Sequence, residues 1–261
     1  MNPTTTSQAG AATSSAPRLS VLMPVYNERA TLTEILRRVQ GVPLDLEIIV
    51  VDNVSGDGTR EDLQALIESG AAGPENSDSQ IRIAFQTQNR GKGASVRRAL
   101  DLARGEYVIV QDADLEYDPQ DYLRLFAALQ NPKRRLDVVF GTRLHRGTMA
   151  RQKMPRTAFF YGRVGLSLFF RVLYGSSLSD VATCYKLMRR DFAHSLNLQS
   201  DGFNLDFEIA AKIVMARRRG ARFGEIPISY VPRTELEGKK IRVVHDGVRA
   251  MWALIKFRFI S

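Results

Sequence analysis

The sequence predicts an α/β fold with a mostly parallel central sheet and helices packed on both faces. Three observations carry this. Short aliphatic runs alternate with segments of helical apolar spacing, the alternation continues from Leu19 to Arg143, and each run ends in a polar cluster.

Leu19 to Pro24 reads as a strand that runs into Val25-Tyr26-Asn27-Glu28, and a helix follows with Leu32, Ile35, Leu36 and Val39 on one face. Leu46 to Val51 is the second strand and stops at Asp52-Asn53, before a helix over Thr59–Ser69 carrying Leu63, Leu66 and Ile67. Residues 70–80 have the composition of a surface loop. The pattern then repeats: strand Ile81–Phe85, helix Gly93–Ala103, strand Tyr107–Val110 leading to Gln111-Asp112-Ala113-Asp114, a helix opened by Pro119, and strand Asp137–Phe140. In such sheets ligands bind at the carboxyl ends of the strands. Those ends carry Asn27-Glu28, Asp52-Asn53, Asp112–Asp114 and Thr142-Arg143.

The glycines exclude two common nucleotide folds. No Gly-x-Gly-x-x-Gly follows the first strand, and Gly91-Lys92-Gly93 lacks the spacing and hydroxyl of a P-loop, so a dinucleotide dehydrogenase and a P-loop ATPase are both unsupported. With 261 residues, 44% of them hydrophobic, the chain suffices for one large domain or one domain with an appendage. Residues 1–17 read as a disordered tail with no secretory signal pattern, and the single cysteine, Cys184, excludes an internal disulfide. Charge is uneven: residues 1–140 hold 15 Lys and Arg against 19 Asp and Glu, whereas residues 141–261 hold 22 against 9. That split suggests an anionic partner (nucleic acid, phospholipid or phosphorylated substrate) or a generically basic surface.

Asp112-Ala113-Asp114 is the sharpest local signal. Two carboxylates leaving a buried strand suit a divalent cation on oxygen ligands, such as one bridging a diphosphate; a solvated turn is the alternative. Asp57 reads as a cap for the helix behind it, leaving Asp52 to accept hydrogen bonds from a base or ribose.

Pro24-Val25-Tyr26-Asn27-Glu28, Val51-Asp52-Asn53-Val54-Ser55-Gly56-Asp57-Gly58-Thr59, Asn89-Arg90-Gly91-Lys92-Gly93 and Asp112-Ala113-Asp114-Leu115 together resemble the family 2 glycosyltransferases of the GT-A fold. Gly141-Thr142-Arg143, Thr183-Cys184-Tyr185-Lys186, Phe203–Glu208 and Glu237–Ile241 resemble, within them, the polyprenyl- or dolichyl-phosphate hexosyltransferases. The resemblance implies that Pro24, Tyr26, Glu28, Asp52 and Lys92 belong to the nucleotide-sugar site. It implies that Asp112 and Asp114 hold Mg²⁺ or Mn²⁺, Asp112 also touching the ribose, and that Arg143, Arg233 and Lys239 hold phosphate. Three departures stand out: Asn53 where the family usually has Asp, Val54 where it has Gly, and Glu116 where it has Gln.

On this reading residues 18–250 form the GT-A domain, with 18–143 as the nucleotide-sugar half and 144–250 as the acceptor half, and 251–261 end a C-terminal helix. The expected reaction is inverting, metal-dependent transfer of mannose or glucose from GDP-mannose or UDP-glucose to a polyprenyl or dolichyl phosphate. The alternatives are a soluble transferase with a small phosphorylated acid or a sugar hydroxyl as acceptor, and a basic nucleic-acid module. No nucleic-acid partner is expected. A hydroxyl acceptor needs a general base, for which Asp206 is the candidate. The aromatic stretch at 151–175, interleaved with Arg151, Lys153, Arg156, Arg163 and Arg171, suits a helix lying on an anionic membrane surface or a packing helix of the sheet. The expected location is the cytoplasmic face of a membrane, with peripheral attachment. Lys240 joins Arg143, Arg233 and Lys239 as a candidate for holding the attacking phosphate.

Overall fold

The computed structural model describes residues 18–144, 158–233 and 243–259. The tail 1–17, Arg151, Lys153, Arg156, Lys239 and Lys240 lie outside the described residues. One sheet organises the chain, in the order β3-β4-β2-β1-β5-β7-β6-β8. Its strands are β1 (Leu19–Val25), β2 (Leu46–Asp52), β3 (Gly73–Pro74), β4 (Ile81–Phe85), β5 (Tyr107–Val110), β6 (Val138–Thr142), β7 (Lys186–Arg189) and β8 (Phe223–Pro227). All pairings are parallel except those of β7, which runs against both β5 and β6. The carboxyl ends of β1, β2, β5, β6 and β8 therefore share one edge with the start of β7.

Helices α1 (Arg29–Gln40), α2 (Thr59–Glu68), α3 (Lys92–Leu102) and α4 (Asp121–Leu129) follow the first strands as the periodicity requires. In α1 the predicted apolar face Leu32, Ile35, Leu36 and Val39 is the buried one. Strands β1 and β2 are buried almost throughout, as strands with helices over both faces must be. Pro24 is tolerated in β1 because β5 pairs only with Leu19–Leu22, so no ladder bond is lost beside it. At the opposite edge Glu47 binds Ser20, Arg82 and the N–H groups of Arg104 and Gly105, tying β1, β2, β4 and the end of α3 together.

The second half adds α5 (Ala158–Tyr174), α6 (Arg190–Ser195), α7 (Leu205–Ala216) and α8 (Val243–Phe259). Three findings go beyond the sequence reading. The loop at 70–80 contains the two-residue strand β3, which pairs with β4. Strands β7 and β8, each too short to show a period, complete the sheet. And α5, read as an interfacial helix or a packing helix of the sheet, packs on α8: Phe170 is fully buried and stacks on Tyr174 at 4.5 Å, while Tyr174 donates to the Leu254 carbonyl of α8. What α5 leaves outside is Tyr161, Val164, Leu168 and Val172, one turn apart, and α8 exposes Val248, Met251, Trp252 and Phe259. Among the described residues no helix is long and apolar enough to cross a membrane.

Candidate active site

The polar edge is built by side chains that satisfy backbone. Ser55, Asp57 and Thr59 alternate along the β2–α2 loop and reach across to the β1–α1 loop, accepting from the N–H groups of Asn27, Arg29 and Glu28. Asp57 also accepts from Thr59 N, so one carboxylate serves the open N-termini of both α1 and α2, the capping role expected of it. Gly58 has φ +96°, in the left-handed region that favours glycine. Three of the five non-glycine residues with positive φ among the described residues lie along this edge: Asn27, Val54 and Leu115. Asparagine tolerates that region; β-branched Val54 does so only under strain.

Asp52, fully buried, ends β2 and receives Ser55 N at 3.2 Å and Arg60 Nη1 at 3.1 Å. Arg60 in turn lies over the Phe85 ring at 4.9 Å. Tyr26 stands exposed beside this corner. Asn53, where the family carries Asp, uses both ends of its amide: it donates to Asn89 Oδ1 at 2.8 Å and accepts from Arg90 N at 3.1 Å. A carboxylate has no proton for the first of these bonds. The Arg90-Gly91-Lys92-Gly93 turn is thereby docked on β2. On its other side it packs so closely that a Cβ on Gly93 would lie 2.2 Å from the Ser200 carbonyl.

Lys92, the first residue of α3, points to the centre of the edge. Its ammonium lies 2.8 Å from Asp112 Oδ1 and 3.2 Å from Asp206 Oδ2, and the other Asp206 oxygen meets Lys186 Nζ at 2.8 Å. Burial penalises the charge on Lys92, but Asp112 and Asp206 outweigh it and hold the group well above its ordinary range. Burial likewise works against the Asp206 carboxylate; Lys186 and Lys92 prevail and bring it down to about 2. So low a pKa makes Asp206 a poor general base, contrary to the expectation that singled it out. Asp114 is the opposite case. Burial, then Asp112, then Glu116 push its carboxyl up to about 7, with Glu116 N and Arg233 working the other way. Asp114 is half-buried beside two other acids, and a bound cation would offset the charge they share. Asp112 and Asp114 could offer hard oxygen ligands to Mg²⁺ or Mn²⁺, with a nucleoside diphosphate offering more. Among the described residues no group of three or more His, Cys, Asp or Glu could hold a metal ion.

Arg233 lies against the aspartate turn, with its guanidinium paired to Glu28. Its N–H donates to Glu116 Oε1 at 2.8 Å, its Nε to the Asp114 carbonyl at 2.7 Å and its Nη2 to Glu28 Oε2 at 2.7 Å. Glu116 also takes Tyr230 OH at 2.8 Å, which makes it the hub that ties residues 230–233 to the aspartate turn. Arg143 is differently placed. It is buried and paired with Asp180 through Nε at 2.7 Å and Nη2 at 2.8 Å, with Nη1 on Tyr117 OH at 2.7 Å. Its charge is balanced, and its side chain is more deeply buried than the paired Arg233, 5% exposed against 15%, which does not match a side chain waiting to hold phosphate. Cys184 is buried, its thiol pushed up by burial and by Asp112, in keeping with a packed and inert residue.

A model of glycosyl transferase family 2 matches residues 20–196, more than half of the chain and all four early motifs. The chain belongs to glycosyl transferase family 2. It is 26% identical over 256 residues to a dolichyl-phosphate β-glucosyltransferase of Dictyostelium discoideum, covering 92% of this chain and 74% of that one. It is also 26% identical over 249 residues to a dolichol-phosphate mannosyltransferase of Pyrococcus furiosus, covering 92% of this chain and 64% of the relative. Glucosyl-3-phosphoglycerate synthase of Mycobacterium tuberculosis, solved with Mn²⁺, UDP and glucosyl-3-phosphoglycerate, shares the fold: TM-score 0.62 at 18% identity, over 93% of this chain and 80% of that one. The architecture is thus the GT-A fold of a family 2 hexosyltransferase, as the motifs predicted.

Sequence reasoning missed Asp180, Lys186, Tyr117 and Gln111. Gln111 Oε1 accepts from Tyr122 OH and Tyr185 OH, each at 2.6 Å, while its amide donates to the Asp112 carbonyl, fixing the start of the aspartate turn. Only contacts between distant segments reveal these roles.

Proposed function

We propose that this family 2 enzyme transfers a hexose from a nucleoside diphosphate sugar to the phosphate of an acceptor, with inversion at the anomeric carbon. The observation that carries this reading is that the candidate base Asp206 and its acidic neighbours are already held, while Asp114, raised to about 7, is taken by the metal on this reading. Asp206 is locked between two lysines, Glu208 between Lys212 and the N–H groups of Gln199 and Ser200, and Asp57 between two helix N-termini. A hydroxyl nucleophile needs a general base. A phosphate monoester, with a second pKa of ~6, arrives ionised. Its oxygen forms the bond to the anomeric carbon as the bond to the β-phosphate oxygen breaks.

Asp52, Pro24, Tyr26 and Glu28 would line the nucleoside. Asp112 and Asp114 would hold Mg²⁺ or Mn²⁺, which when bound offsets charge on the leaving diphosphate. Arg233, Lys239 and Lys240 are the candidates for phosphate. Arg143 is better read as a strut under Tyr117, so its substitution would lower activity through the fold.

Two acceptors meet these requirements. A small phosphorylated acid is favoured as the acceptor by the solved fold neighbour that holds glucosyl-3-phosphoglycerate, and in such an acid the phosphate and the hydroxyl are rival nucleophiles. A polyprenyl phosphate is favoured by the curated relatives and by the exposed apolar stripe of α5 and the exposed apolar residues of α8, two helices that also expose Arg171, Arg249 and Lys256. That stripe suits peripheral attachment to the cytoplasmic face of an anionic membrane. Incubating the enzyme with UDP-glucose or GDP-mannose, against polyprenyl phosphate in vesicles or 3-phosphoglycerate in solution, separates them by product. No hexosyl product from either acceptor with any donor would overturn the phosphate reading.

A further inference from the structure

Four ionisable groups meet at the centre of the edge: Lys92 and Lys186 against Asp112 and Asp206. Two positive and two negative charges cancel. Lys92 is the shared member, because its ammonium reaches both oxygens of Asp112, at 2.8 and 3.0 Å, and Asp206 at 3.2 Å. It is largely shielded from water, with 12% of its side chain exposed. The charge that Asp112 would offer a divalent cation is therefore already answered from inside the protein.

We infer that Lys92 is a built-in counter-cation that competes with the divalent metal for Asp112, so the free enzyme binds metal weakly and takes it up together with the nucleoside diphosphate. This rests on the metal-site reading of Asp112 and Asp114. The physical reason is local charge balance. A divalent cation added beside Lys92 would place three positive charges around one aspartate pair, two of them on an ion at contact distance from the ligand Lys92 is holding. Like charges repel strongly where water is excluded. A diphosphate brings the compensating negative charge in the same step and offers Lys92 a new partner. Metal and nucleotide then bind with positive coupling, which linkage makes reciprocal: each raises the affinity of the other by the same factor. Lys186 keeps Asp206 ionised and in place when Lys92 turns away, since it holds the other Asp206 oxygen and the Thr183 carbonyl.

Mn²⁺ binding to the purified protein, read by the loss of the free-ion electron paramagnetic resonance signal, tests this without any turnover. Wild-type protein should bind Mn²⁺ at least tenfold more tightly with UDP or GDP present than without. Lys92→Met should raise nucleotide-free Mn²⁺ affinity at least tenfold and shrink the coupling, whereas Lys92→Arg should keep it. Asp206→Asn, which leaves Lys92 to Asp112 alone, should shift nucleotide-free affinity the other way; this opposite sign guards against general loosening of the fold, which would be checked by thermal unfolding. Mn²⁺ affinity in Lys92→Met equal to or weaker than wild type, with a native melting transition, would overturn the inference and leave the metal site standing. Wild-type protein that takes up no Mn²⁺ even with nucleotide would overturn the metal-site reading itself.

Discussion

Asp180→Ala should be among the most destabilising single substitutions in this chain. The Asp180 carboxylate is fully buried and accepts three bonds from one residue: Arg143 N at 3.0 Å, Nε at 2.7 Å and Nη2 at 2.8 Å. Burial raises the carboxyl's pKa, and Arg143 more than reverses the effect, so the pair is ionised in the folded state. Removing Asp180 leaves a buried guanidinium with no counter-charge, its other contacts being Tyr117 OH and the Tyr117 and Tyr230 ring faces. Breaking a buried pair from one side costs about 3–5 kcal/mol. Replacing both partners with apolar groups of similar volume costs much less, because no charge is stranded. Urea unfolding of Asp180→Ala, Arg143→Met and the double variant gives the coupling directly. The double variant should be less destabilised than the sum of the singles by about 2 kcal/mol or more. Additive losses, or a loss under about 1 kcal/mol for Asp180→Ala, would refute the strut and return Arg143 to the role of a phosphate ligand.

In metal-free buffer the stability contributed by Asp114 should be greatest in acid and fall as pH rises from about 4 to about 7, because the folded state keeps a proton that the unfolded chain has released. Thermal unfolding across that window should show the slope, at most about 1.4 kcal/mol per pH unit, and Asp114→Asn should flatten it; an unchanged slope would contradict the burial argument. Val54→Gly should stabilise the protein by roughly 0.5–1 kcal/mol, the left-handed cost of a branched side chain less the extra freedom of glycine in the unfolded chain; a destabilised variant in urea would count against strain at φ +63°. Leu168→Ser with Trp252→Ser should leave the melting temperature nearly unchanged and abolish salt-sensitive binding to anionic vesicles, because both side chains are more than half exposed. Phe170→Ser should instead unfold the helix pair, and vesicle binding that survives the exposed pair of substitutions would dismiss the stripe.

The front half of the fold was legible because each strand there is followed by a helix long enough to show a period, as with Leu32, Ile35, Leu36 and Val39 of α1. Strands β7 and β8 were not, since four or five residues such as Lys186–Arg189 carry no pattern of their own and take their place from neighbours distant in sequence. The site divides in the same way. Asp52, Asp112 and Asp114 were identifiable because each lies where an aliphatic run stops. Arg143 also ends a strand, so it looked like a ligand; its partner Asp180 lies 37 residues later, in a segment with no periodicity to place it. The aromatic segment left two readings open for another reason. Counting rings and arginines along α5 cannot tell which face is outward, and the buried face took Phe170 while Leu168 and Val172 went outside.

The central claim is that the nucleophile is a phosphate oxygen. Phosphorus magnetic resonance of the acceptor before and after transfer, with Mg²⁺ and either donor, reads this atom directly. The account predicts that the acceptor's monoester resonance is replaced by that of a phosphodiester bearing the hexose. A hexosylated product in which the acceptor phosphate is still a monoester would contradict it, because the sugar would then have gone to a hydroxyl.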